Sequence, residues 1–411
     1  MTAPLPMEAI AATGTPVFPF TRDAGPLHPP SLYAQLREAA PISRVRLWDG
    51  SSAWLVTRWE DVRTVLGSPH FSVDPHRDGY PSVSEARAAQ VKSRQAFINM
   101  DDPDHARFRR MLTKDFMQKR MLELRPLVEK LVGDLYGQMD AGPSHADFVQ
   151  AVSTPLPSMV ISLLLGVPFE DHKELSRLSS TRNDHTVDAQ TVQAAAQGME
   201  TYLDDVIRRK ERHAVDSNDM LDRLVIDQIR PGNLTRAQAV RIASLLYSAG
   251  HGTTSSQIAL GTLSFLRAPE QRAALLADPT LLPAAVEEML RFHSIAHFNS
   301  SRVATADVEI AGQLIRAGEG VYALVGAANR DPAAFPEPDR FDIRRERQPH
   351  MAFAYGIHQC LGQPLARLEL NMVFSTLFQR FPRLELAAPL EELQFVATSQ
   401  VYSVVSLPVR W

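Results

Sequence analysis

The sequence predicts a mainly α fold with a smaller β-rich part, and three observations carry that reading. Apolar residues recur at helical spacing almost without interruption over residues 100–292 and again over 361–380. Short alternating runs bounded by turn residues are confined to about residues 40–60, 300–325 and 390–411. No internal repeat or low-complexity linker divides the 411 residues, so residues 1–411 read as a single domain.

The composition fits a soluble globular protein, at 45% hydrophobic and 22% charged. A net charge of -4 gives no reason to expect nucleic acid or a membrane as the main partner. Residues 1–20 hold scattered prolines and no charged-then-apolar pattern, so neither a secretory signal nor an anchor is expected. The longest apolar stretch, Met159 to Pro168, is too short to cross a bilayer. A single cysteine excludes an intrachain disulfide and fits a reducing cytoplasm.

In chain order, residues 1–30 are proline-rich and read as irregular. A short helix is predicted over Ser31 to Ala39. Ile42, Val45 and Leu47 then alternate, a turn falls at Asp49-Gly50-Ser51-Ser52, and Ala53-Trp54-Leu55-Val56-Thr57 completes a hairpin. A helix follows from Glu60 to Leu66. Residues 68–96 are polar, carry prolines at 69, 75 and 81, and read as a long loop without a steady period. A helix opens at Asp101 to Arg110, and further helices are predicted near 118–140, 154–166, 170–182, 188–214, 217–229, 234–266 and 280–292. At ~1.5 Å per residue the segment Leu234 to Leu266 would span about 48 Å, a length that suits a helix running through the middle of the protein. Ser300 to Val303, Val308 to Ile310 and Val321 to Val325 read as strands, and Val396 to Trp411 as a closing hairpin with its tip near Ser399 to Tyr402.

The chemistry concentrates around Cys360. It stands between a glycine-bearing loop and a helix marked by Leu365, Leu368, Val373 and Leu377. Unpaired N–H groups and the positive dipole end at such a place favour a thiolate. Gly356 and Gly362 would admit a flat ligand close to the backbone. A lone cysteine is also often a small buried hydrophobe, and position alone does not choose between the two. The spacing does: Phe353, Gly356, His358, Cys360 and Gly362 fit F-x-x-G-x-H-x-C-x-G.

Further patterns accompany it. His105 and Arg109 share a helix face, which is either a solvated basic face or a clamp for buried carboxylates. Ala249-Gly250-His251-Gly252-Thr253-Thr254 puts two glycines inside the longest helix, each weakening it by roughly 1 kcal/mol, for close packing or for a local opening over a ligand. Glu288-Met289-Leu290-Arg291 gives E-x-x-R near a helix end, a common ion-pair spacing.

Together these patterns resemble the cytochrome P-450 family over essentially the whole chain, in family order and at family spacing. The resemblance implies one large cytochrome P-450 fold, with haem b (iron protoporphyrin IX) between the long central helix and the cysteine-loop helix. Cys360 would be the metal ligand, its thiolate axial to the iron, with Phe353, Gly356 and Gly362 shaping the loop. His105, Arg109, Arg302 and His358 would bind the haem propionates, and Ala249 and Gly250 would pass the haem. Thr253 takes the place of the family threonine that helps deliver protons during oxygen activation. The acid that normally precedes it is replaced by Gly252, so a relay would need waters, His251 or Ser256. Glu288 and Arg291 would lock to an arginine of a later loop, Arg340 by preference and Arg344 next.

The substrate pocket implied by the resemblance draws on parts of 72–96, on Leu245 to Thr253 with Leu245 and Ala249, on Ile295, Ala296, His297 and Asn299, and on Val401. His297 and Asn299 are either recognition groups or solvated loop residues. Arg107, Arg110, Lys114, Arg345 and Arg367 are either a patch that steers an acidic electron donor or plain surface. The implied enzyme is a cytoplasmic monomer of the soluble bacterial type. It would take electrons ultimately from NAD(P)H through ferredoxin reductase and ferredoxin, and use O2 to oxidise a small hydrophobic substrate. Phe18-Pro19-Phe20, Trp54 to Thr57 and Leu163 to Phe169 also resemble the nitric oxide reductase branch, which likewise lacks the helix acid. Val73, Asp74 and Ser301 stand where that branch has the cations that receive NADH. Gly252 in place of the acid also leaves room for a peroxide-driven enzyme, while Thr253 argues against a non-catalytic haem sensor or carrier.

Overall fold

The computed structural model describes residues 15–93, 96–183, 187–213, 215, 219–296, 300–396 and 401–411. The chain folds as two compact units, each discontinuous in sequence.

The first unit gathers Met1–His105, Glu287–Cys360 and Phe395–Tyr402. Its centre is a five-stranded sheet in the order Ile42–Arg46, Ser52–Val56, Gly320–Ala323, Ser301–Ala304, Phe71–Ser72. The predicted hairpin forms with Ile42 opposite Val56 and Arg46 opposite Ser52. Gly320–Ala323 pairs with Ser52–Val56 in parallel, and antiparallel with Ser301–Ala304. Side chains alternate across the sheet. Ala53 and Leu55 pack with Val45, Tyr322 and Leu324 on one face, and Trp54 and Val56 with Val65, Val321 and Ala323 on the other. The helices Ser31–Ala39 and Trp59–Gly67 stand where the sequence puts them. The described residues between 68 and 96 hold more structure than their composition predicts. Phe71–Ser72 joins the sheet edge opposite Ala304 and Val303, and Glu85–Ser93 is a helix. Ser84 caps that helix, its Oγ accepting the Arg87 N–H at 3.2 Å.

The second unit gathers Ala106–Val286, Leu361–Gln394 and Ser403–Trp411. The central helix runs from Arg236 to Arg267, 32 residues opened by a capping box between Thr235 and Gln238. It packs against Pro155–Leu165, Ala189–His213 and Gln363–Arg380. Phe265 meets Phe374 and Phe378 at ring distances of 5.7 and 5.2 Å. Tyr136, on Gln118–Ala141, donates to the Val373 carbonyl at 2.9 Å and ties a third helix to that layer. Met220–Leu224 continues as a π-helical turn over Val225–Ile229.

Two expectations change here. Pro269–Ala277 is a helix that the periodicity leaves out, started by Pro269 in its first turn and followed by Glu270. The tail is not a hairpin on itself among the described residues. Pro408–Arg410 instead pairs with His145–Asp147 and with Glu385–Leu386 in a three-stranded sheet.

Candidate active site

The loop that carries Cys360 is built within the first unit. A tight turn over Gly356–His358 precedes the cysteine, whose backbone N–H donates to the Phe353 carbonyl at 2.9 Å. Gly356 has φ 76°, and a Cβ there would stand 2.4 Å from the Leu66 carbonyl oxygen. Only glycine satisfies both conditions. Gly362 caps the following helix at φ -78°, so backbone conformation alone does not demand glycine there. Cys360 is exposed.

A polar network holds this loop from beneath. Glu288 and Arg291 pair through two bonds, at 2.7 and 2.9 Å, and both side chains are 2% exposed. Arg291 also donates to the Asn329 and Pro338 carbonyls at 2.8 and 2.9 Å. Asn329 in turn accepts the Met351 N–H at 2.8 Å on its side-chain oxygen, which carries the network into the cysteine loop. The third arginine is neither Arg340 nor Arg344. Arg345 bonds Glu288 at 3.1 Å, whereas the Arg340 side chain is exposed beside Glu337 and only its carbonyl joins the network. The same bond removes Arg345 from the basic surface patch.

Three of the four basic residues expected to hold carboxylates, His105, Arg302 and His358, converge. The His105 and His358 rings lie 4.1 Å apart, and Arg302 is buried close enough to act on His358. Burial, His105 and Arg302 together push the His358 pKa down from 6.5 to about 3. Its Nδ1 is buried without a hydrogen-bond partner. Burial also lowers Arg302, with Tyr80 and Asp101 opposing. Asp101 is already engaged by the Val73 N–H at 3.0 Å and by Arg77 at 3.5 Å. Mutually repelling basic groups around an orphaned nitrogen are the pattern that bound carboxylates would complete. Arg109 follows His105 by four residues on the same helix, Asp104–Thr113. Tyr80 and Arg87 belong to this surrounding; they lie in the stretch 72–96 expected at the pocket but are not singled out by the sequence, where the Ser84 cap three residues before Arg87 is the one available signal.

On the central helix, Thr253 donates to the Ala249 carbonyl at 2.6 Å and Ser256 to the Gly252 carbonyl at 2.8 Å. The two glycines differ. A Cβ on Gly250 would press on Ile161 at 3.2 Å, which is close packing, while one on Gly252 would meet nothing within 4 Å. His251 does not fit the relay role expected of it. It is 2% exposed and turned toward Ser176, whose Oγ lies 3.1 Å from its Nε2, and burial lowers its pKa from 6.5 to about 4. Leu245 is half-buried and Ala249 exposed. In the first unit Ile295 and Ala296 are half-buried, and the Tyr402 N–H donates to the Ile295 carbonyl at 2.8 Å, which brings the segment at Val401 beside them. His297 and Asn299 lie outside the described residues. Arg107, Arg110 and Lys114 are exposed, and Arg367 is half-buried with Gln363 at 2.9 Å.

Residues 180–397 match the family model of cytochrome P450. The vitamin D3 dihydroxylase of Streptomyces griseolus is 42% identical over 97% of this chain and 98% of its own length. The pentalenic acid synthase of Streptomyces avermitilis is 44% identical over 94% and 95%. Among solved structures, the mycinamicin VIII C21 methyl hydroxylase of Micromonospora griseorubida, bound to mycinamicin VIII, superposes with a TM-score of 0.89 at 37% identity, covering 97% of this chain and 100% of that one. A mainly α chain with small sheets and a buried E-x-x-R network beneath a cysteine loop fits the cytochrome P450 fold, and this chain belongs to the cytochrome P450 family. It is a cytochrome P450 monooxygenase, an oxidoreductase that uses haem iron, O2 and a redox partner to oxidise a small organic substrate. These similarities do not favour the nitric oxide reductase reading. Among the described residues, no helix is long and apolar enough to cross a membrane.

Proposed function

We propose that the haem is haem b, that Cys360 is its iron ligand, and that His105, Arg109, Arg302 and His358 hold its propionates. The observation that carries this is the buried basic cluster with the unpaired His358 Nδ1, in the same unit as the glycine-shaped cysteine loop. A thiolate-ligated haem supplies oxygen activation and insertion of an oxygen atom into a substrate C–H bond. The chain's own residues supply the rest. Glu288, Arg291 and Arg345 fix the loop that presents the sulfur. Cations at the propionates offset the cost of burying two carboxylates. Thr253 handles the proton at its Oγ1, which now rests on the Ala249 carbonyl, and with Gly252 beside it the protons arrive through water.

The electron donor is a ferredoxin with its reductase, drawing on NAD(P)H, and exposed Arg107, Arg110 and Lys114 are the cations that would meet an acidic donor. The enzyme works as a cytoplasmic monomer on a small hydrophobic compound. The relatives named for vitamin D3, pentalenic acid and mycinamicin VIII support a substrate of natural-product size. The deciding experiment is the absorption spectrum of the reduced, haem-loaded protein under carbon monoxide. The far-shifted band of a thiolate-bound haem is expected, and its absence would overturn the assignment of Cys360.

A further inference from the structure

Away from the haem-binding and cysteine-loop residues, Arg182 is a buried cation with no carboxylate bonded to it among the described residues. It stands near the end of His172–Asn183 and is 6% exposed. Its Nη1 donates to Ser244 Oγ at 2.6 Å and touches the Met199 sulfur at 3.8 Å. Among the described residues its hydrogen bonds all run through Nη1, and its Nε is buried without a partner. Glu200 acts on it only through space, and burial pulls its pKa down.

The acceptor it touches beyond Ser244 is a poor one, since a thioether sulfur accepts hydrogen bonds weakly. Ser248, one turn along from Ser244, directs its hydroxyl at the same sulfur, at 3.7 Å. A guanidinium and a hydroxyl therefore converge on one methionine. Their place matters. Leu245, Ser248, Gly252 and Thr253 are half-buried and Ala249 is exposed, on a helix that is otherwise mostly buried. Spacings of three and four put them along one accessible stripe. Ser248 lies on its edge, about 7.5 Å along the axis from Thr253 at ~1.5 Å per residue.

We propose that Arg182 is a specificity-determining residue that, with Ser248, receives the carboxylate of an organic acid substrate. The Nη1 that touches the Met199 sulfur and the Ser248 hydroxyl aimed at the same atom are placed to donate to the oxygens of a carboxylate, with a directionality that a lysine cannot copy. The carboxylate takes the place of the Met199 sulfur and supplies the counter-charge that the buried cation lacks. This rests on the proposed monooxygenase site and names the substrate class that site selects.

The test is isothermal titration calorimetry of the haem-loaded protein with matched acid and alcohol pairs, dodecanoic acid against dodecanol and farnesoic acid against farnesol. The wild type should bind each acid at least about tenfold more tightly than its alcohol, in line with the strength of charge-assisted bonds. Arg182→Gln should erase that preference by weakening the acid alone, and Met199→Leu should keep it. Arg182→Lys, which retains the charge in case the glutamine variant does not fold, should keep only part of it. Equal affinities in the wild type, no acid binding, or a preference that survives Arg182→Gln would each overturn the proposal. Failure of the haem-thiolate assignment shows separately, as a missing carbon monoxide band in a protein that still discriminates acid from alcohol.

Discussion

The cysteine-loop unit and the Gly252 to Ser256 stretch of the central helix treat their polar groups in different ways. In the first, side chains far apart in sequence are spent on one another: Glu288 on Arg291 and Arg345, Arg291 on Asn329, Asn329 on Met351. Just before the second, His251 reaches out to Ser176, but within it Thr253 and Ser256 bond back to their own helix, and Gly252 leaves open space. The first arrangement is over-determined and holds one geometry. The second exchanges its bonds locally and leaves room for water or a ligand. A part that must present one atom in one place is cross-linked, and a part that must accommodate what arrives is not.

The contrast can be broken most severely at the sulfur. Cys360→Ser should lose the carbon monoxide band of the thiolate and bring oxygenase turnover to background, read by spectroscopy and product formation. Next comes the network. Glu288→Gln leaves Arg291 and Arg345 buried without their counter-charge and should cost about 3–5 kcal/mol in denaturant unfolding, with haem released in parallel.

His251 sharpens the comparison through pH. Its folded pKa, about 4, lies below the ordinary 6.5, so the unfolded chain takes up a proton that the folded one refuses. Stability from this group is therefore complete above about pH 6.5 and is lost as pH falls toward 4, by up to about 3 kcal/mol. Unfolding midpoints of His251→Gln between pH 7 and 4 should fall less steeply than those of the wild type.

On the accessible stripe the effects shrink. Thr253→Ala removes a hydroxyl bonded only within the helix, so stability should stay within about 0.5 kcal/mol, while product per NADH consumed falls and peroxide release rises. Gly252→Asp should fold as well as wild type or better, by a few tenths of a kcal/mol, because no atom lies within 4 Å of the new Cβ. If the missing acid limits proton supply, the same variant should raise coupling.

Local signals explain what was legible. The hairpin at residues 42–56 shows in its alternation, the central helix in its length, and the cysteine loop in fixed spacing. What stayed hidden needed a distant partner. Arg340 and Arg345 are equivalent in sequence, and only the fold of the loop from Pro336 decides that one offers a carbonyl and the other its guanidinium. Phe71–Ser72 is a strand because Val303 and Ala304 are there to pair with it. Pro408–Arg410 finds its partners at His145–Asp147, far back in the chain. His251 misleads for a related reason. It stands two residues from Thr253 in sequence, but beside Ser176 in space.

The contacts beneath the cysteine loop also set an order of events during synthesis. Gly356 closes on the Leu66 carbonyl, and Trp59 donates to the Pro349 carbonyl at 3.2 Å across 290 residues of chain. At roughly 5–20 residues per second, a ribosome needs about 15–60 seconds to deliver the second partner after the first. The turn that carries Cys360 is thus completed only after both halves of this contact have been made, long after its first partner has left the ribosome.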